Sequence, residues 1–161
     1  MAVYSLKAVQ KIPGSITDVW SFFSRPDNLK DITPAQLNFN VISKHHGAAI
    51  YAGQIIEYKV SPLLGVPLYW MTEITHVKEG VYFIDEQRYG PYNMWHHQHH
   101  FKEINGGTEM TDIIHYKIPF WFLGDLANNL FVKKQLQEIF LFRFNKAEEV
   151  FGKWPKNKQL L

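Results

Sequence analysis

His97 and His99 sit two residues apart in the run Trp95-His96-His97-Gln98-His99-His100-Phe101. In an extended chain alternate side chains share a face, so these imidazoles project together, about 7 Å apart at Cα. The aromatic ends Trp95 and Phe101 mark that face as inward and leave His96, Gln98, His100 and Lys102 outside. The same alternation over residues 108–117 turns Met110, Asp112, Ile114 and Tyr116 inward. Over residues 80–89 it favours Val81, Phe83, Asp85 and Gln87.

Two histidines beside two aspartates support three chemistries. Carboxylates accepting from imidazole N–H groups can satisfy one another and hold strands in register, the usual fate of buried polar groups. An imidazole next to a carboxylate also acts near neutral pH. His97 or His99 with Asp112 or Asp85 is therefore a candidate catalytic acid–base pair, or the polar end of a ligand site. Third, His-x-His can chelate a zinc-type ion with a carboxylate completing the shell. Mutual hydrogen bonding explains the same residues without an ion, so the expectation is no metal and no cofactor. The chain has no cysteine, which removes thiolate nucleophiles, thiolate metal sites and disulfides, and fits a reducing cytoplasm. No glycine-rich phosphate loop, G-x-S-x-G elbow or H-E-x-x-H motif is present.

The elements that must position these groups follow from periodicity. Residues 2–12 alternate with Tyr4, Leu6, Ala8, Gln10 and Ile12 on the more apolar face, a strand ended by Pro13-Gly14. Ser15 and Asp18 resemble a capping box, and Ile16, Val19, Trp20 and Phe23 follow at helical spacing before Pro26. Between Pro26 and Pro34 only a turn or two of helix fits. From Phe39 the period becomes two, predicting strands over 38–45, 53–61, 67–78, 80–89, 93–104 and 108–117 joined as an antiparallel meander. The strongest hairpin signal is Gly106-Gly107. Residues 125–151 return to a 3.6-residue period through Leu126, Leu130, Leu136, Ile139, Phe140, Phe144, Ala147 and Phe151, with Gly152 and Pro155 as the stop. A helix from roughly residue 122 to 151 is expected.

A curved seven-stranded antiparallel sheet cannot fill its own concave face, and only the terminal helix is large enough to cover it. Where sheet and helix diverge a cavity is left. Its expected walls are Tyr58, Trp70, Phe83, Gln87, Trp95, Phe101, Tyr116 and Phe140, with Ile56, Val60, Thr72 and Ile74 on the same faces.

The 161 residues suit one domain, with no repeat or linker, and 46% of them are hydrophobic. Seventeen Lys and Arg against fifteen Asp and Glu leave no broad basic face for nucleic acid, and no apolar run approaches a membrane span. Twelve Phe, eight Tyr and five Trp suit a bulky core or an aromatic pocket wall. Leu141 and Phe142 lie off the main helical stripe. They or the edge of the first strand are where a weak homodimer would form.

Together, Gly90-Pro91-Tyr92, Trp95-x-His97-x-His99-x-Phe101, Gly107-Thr108-x-Met110-x-Asp112-x-x-x-Tyr116-x-x-Pro119 and Leu123-Gly124 resemble a bacterial subgroup of the SRPBCC (START-like, Bet v 1-like) superfamily. Trp20-x-Phe22, Asn28-Leu29, Thr33-Pro34 and Phe83-x-Asp85-Glu86-Gln87 extend the resemblance over about residues 3–150. The resemblance implies an α+β helix-grip fold, in which the sheet wraps the C-terminal helix around a deep hydrophobic cavity. It also implies binding of a small hydrophobic or amphipathic ligand such as a lipid, sterol or polyketide. The alternative it offers is a polyketide cyclase or aromatase using the His/Asp group. The metal pattern and cluster cysteines of the superfamily's ring-hydroxylating oxygenases are missing.

Overall fold

The computed structural model describes residues 2–44, 49–63, 65–119, 131–155 and 159–160. Strand β1 (Tyr4–Ile12) leads into helix α1 (Ile16–Phe23). The Ser15 Oγ accepts from the Asp18 backbone N–H at 3.1 Å and donates to the Asp18 carboxylate at 2.6 Å, so the capping pair forms as its spacing predicts. The second short helix is two separate 3₁₀ turns, Pro26–Leu29 and Ala35–Leu37, because the proline at each end leaves no room for a longer helix.

The meander follows as β2 (Asn40–Val41), β3 (Gln54–Leu63), β4 (Val66–Lys78), β5 (Tyr82–Tyr89), β6 (Met94–Ile104) and β7 (Gly107–Lys117). Strand order is β2-β3-β4-β5-β6-β7-β1, antiparallel throughout, with β8 (Gln159–Leu160) added beside β1. Seven strands curve around the terminal helix α2 (Lys133–Phe151), which is the helix-grip arrangement. Leu136, Phe140, Phe144 and Ala147 form the buried stripe of α2; the first three pack on Leu6, Ala8, Ile114 and Tyr116 of β1 and β7, and Ala147 joins the cluster of Ile12, Val19 and Trp20. The expected earlier part of this helix, with Leu126 and Leu130, lies outside the described residues. So do Leu123-Gly124 and the turn at Gly47.

Three expectations change. The strand read over 38–45 begins only at Asn40, because Asn38 adopts a left-handed conformation (φ 45°) that turns the chain on entry; it pairs with β3 at Asn40 and Val41, and the Ile42 N–H still bonds the Glu57 carbonyl at 2.7 Å. Val81 belongs to the turn before β5, its N–H bonded to the Lys78 carbonyl at 2.9 Å, and its side chain is exposed rather than inward. The edge of β1 named for a dimer is paired at Ala8 and Val9 by β8, which takes up part of it.

Gly107 fixes the β6–β7 hairpin against the end of β1. A β-carbon there would collide with the Ile12 carbonyl oxygen and press on Pro13 Cα at 3.0 Å, both backbone groups with nowhere to move.

Candidate functional site

The site is built on three neighbouring strands. Register places Asp85 of β5 opposite His97 of β6, and His99 opposite Asp112 of β7. The hydrogen bonds run along the diagonals: His97 Nε2 to Asp112 Oδ1 at 2.9 Å, and His99 Nε2 to Asp85 Oδ2 at 2.9 Å. The directly opposed pairs close the ring, with His99 Nδ1 2.8 Å from Asp112 and His97 Nδ1 3.5 Å from Asp85. Each imidazole is thus held between two carboxylates. The rings themselves lie 3.8 Å apart at their centroids, His99 stacks on Phe83 at 4.0 Å, and Phe140 of α2 meets His97 edge-on.

Burial by itself disfavours every charge in this group. It works to raise both carboxyls, yet the contacts from His97 and His99 outweigh it and hold Asp85 and Asp112 below the ordinary carboxylate range. The imidazoles divide. Burial and the neighbouring His99 push His97 down, while His99, which burial would also lower, is carried up by its bonds to Asp112 and Asp85. Of the two imidazoles, His99 is thus the one the carboxylates favour in its charged form, and His97 the one burial favours as neutral.

A fifth side chain joins the cluster. Arg143 of α2 brings its Nη1 to 3.9 Å from Asp112 Oδ1, with its guanidinium carbon 5.1 Å from the centre of the Phe140 ring. Its positive charge stands opposite the two carboxylates and lowers Asp85 further. The sequence reading overlooked Arg143. The signal was available: it falls three residues after Phe140 and four before Ala147, on the face that α2 buries.

Between the sheet and α2 lies a cavity of about 170 Å³. Asp85, His97 and His99 line it, as do Tyr58, Trp70, Phe83, Trp95 and Phe140; Asp112 sits behind the imidazoles and does not. Three expected wall residues lie elsewhere. Phe101 packs in the cluster around Trp20 and Phe23, and Tyr116 is buried between β1 and α2. Gln87 clamps the chain entering β6, donating to the Tyr92 carbonyl at 2.6 Å and accepting from the Tyr92 N–H at 3.2 Å. That clamp brings in Tyr92, a lining residue the alternation of strands could not supply because it stands between them. The Tyr58 hydroxyl pairs with Thr72 Oγ1 at 3.0 Å, and burial raises it well above the usual phenol range. The Tyr116 phenol is likewise pushed up to about 12 by burial.

A metal would have to use Asp85, His97 and His99, whose donor atoms lie within 4.8 Å of one another. Those donors are already turned on carboxylates, and a divalent cation beside Arg143 would leave the buried group with excess positive charge.

On the outer face His96, Gln98 and His100 form a half-buried ladder, His96 Nδ1 meeting Glu86 at 2.9 Å. Leu141 is exposed, whereas Phe142 is half-buried beneath the Lys146 ammonium. No described helix is long and apolar enough to cross a membrane.

Comparison with known proteins agrees with this architecture. By sequence, no protein-family profile and no curated protein matches the chain. Solved structures do match by shape. Protein CV1439 from Chromobacterium violaceum superposes with a TM-score of 0.70 at 7% identity, over 93% of this chain and 98% of that one. Major latex-like protein 151 of Panax ginseng gives 0.67 at 14% identity, over 92% and 97%. Ara h 8.0201 gives 0.60 at 12% identity, over 92% and 99%. The chain has the Bet v 1-like (SRPBCC) helix-grip fold. At such identities the likeness is one of fold alone.

Proposed function

We propose that this protein binds a small hydrophobic or amphipathic ligand in the space between sheet and α2, without covalent chemistry. The observation that carries the reading is the cavity itself, walled by Trp70, Trp95, Tyr58, Phe83 and Phe140 and meeting the His/Asp/Arg143 group along one wall. Its volume, about 170 Å³, narrows the ligand. An apolar cavity on the order of 150 Å³ takes up benzene, whereas drug-sized ligands occupy about 300–1,000 Å³. A molecule of roughly one ring fits; a sterol requires the helix to move. The arrangement of the cluster weighs against the cyclase or aromatase alternative, since each imidazole is tied through Nε2 to a carboxylate and Asp112 does not reach the cavity.

Trp70 and Trp95 supply the assay. Single-ring and larger apolar compounds are titrated against tryptophan fluorescence and thermal stability. A ligand at a hundred times its Kd stabilises the folded chain by about 2.7 kcal/mol. A library spanning both sizes that moves neither signal refutes the reading.

A further inference from the structure

The cavity is lined by side chains whose donors and acceptors are unequally occupied. Both carboxylates of the cluster are engaged by imidazoles. Three nitrogens of lining residues are not engaged: among the described residues, the buried Nε of Arg143, Nε1 of Trp70 and Nδ1 of His99 have no hydrogen-bond partner. Arg143 is the most unusual. A guanidinium offers five N–H donors in a planar fork, and here its one ionic neighbour is 3.9 Å away, beyond hydrogen-bond range. A cation so placed is held in register by the Phe140 ring and by charge balance, with its fork unfilled.

Resting on the reading of this cavity as a ligand site, we infer that its ligand is a small aromatic carboxylate, the ring against the aromatic wall and the carboxylate on the Arg143 guanidinium. A planar carboxylate is the partner that fills such a fork with two parallel bonds. The size of the cavity limits the remainder to about one ring.

The test is titration calorimetry of the full chain with phenylacetate, phenylacetamide and isobutylbenzene, three near-isosteres, at pH 7. Phenylacetate is expected to bind at least roughly tenfold more tightly than the amide, the difference a charge-assisted pair supplies. Arg143→Met is expected to abolish that preference. Should that variant fail to fold, Arg143→Lys keeps the positive charge near Asp112 while losing the fork. It is expected to cut the preference several-fold. An amide or hydrocarbon that binds as tightly as the acid, or a preference unchanged in the folded variants, overturns the carboxylate assignment and leaves the cavity a ligand site. If none of the three binds by calorimetry or thermal shift, the carboxylate assignment fails; the ligand-site reading is then decided by the wider library.

Discussion

Replacing Asp112 by asparagine changes one oxygen to an amide and little else in shape, so its effect reports the electrostatics of the cluster. Asp112 is buried and accepts from His97 at 2.9 Å, lies 2.8 Å from His99 Nδ1, and balances Arg143 at 3.9 Å. Two charge-assisted contacts worth about 1.5–3 kcal/mol each are lost, and neutral bonds from the amide return about 1 kcal/mol apiece. His99 then has less reason to hold its proton, and releasing it relieves part of the excess positive charge. The net cost at pH 6 is about 2–4 kcal/mol, near the lower end of what breaking a buried ion pair costs. For a chain of this length that lowers Tm by about 5–15 °C.

The pH dependence carries the sharper test. His99 has a raised value in the folded protein. Its stabilisation is complete below the unfolded value near 6.5 and is lost as pH rises through the folded one. Asp112 has a lowered value, so its stabilisation is complete above about 4 and is lost as pH falls toward the folded one. Urea unfolding of the two proteins should thus differ most between about pH 4 and 6.5 and converge on either side. A gap under about 1 kcal/mol, or one flat across that range, would refute the account of the cluster as a balanced set of charges.

Two further substitutions test the scaffold. Gly107→Ala drives a methyl group into the Ile12 carbonyl and should cost about 1–3 kcal/mol in chemical denaturation, the range for overpacking against groups that cannot move; a neutral result would mean that β1 and the hairpin slide freely. Ser15→Ala removes the α1 cap and should cost about 1 kcal/mol, with loss of amide-exchange protection confined to the first turn of α1.

Much of this molecule is written locally. Alternation over β3 to β7 and the turn residues between them are short-range signals, and the strands sit within a residue or two of where those signals place them. Inward faces followed from the same alternation, which is why His97, His99, Asp85 and Asp112 could be grouped before any contact was known. What alternation cannot carry is contact between faces. Phe101 and Tyr116 point inward as expected, but α1 covers one and β1 with α2 the other, so neither reaches the cavity. Val81 was misplaced because Glu79-Gly80 makes its turn one residue later than the apolar pattern suggests. Arg143 was hidden by its type. A charged residue within an amphipathic helix is ordinarily solvated, and only the anionic strands across the core give it a reason to be inside.

The diagonal pairing across β5, β6 and β7 also decides which way β6 faces. Shifting β6 by one residue would bring His96, Gln98 and His100 onto the concave side in place of His97 and His99. Along the middle of the strand the two phases are nearly equal in polarity, so hydrophobicity discriminates between them only at Trp95 and Phe101. The aspartates break the tie. In the native phase each directly faces an imidazole, while a slip of one residue puts Gln98 opposite one of the two carboxylates. A chain folding past that point is committed: the misaligned sheet sets one buried carboxylate against a neutral amide, and the aligned one sets both against imidazoles.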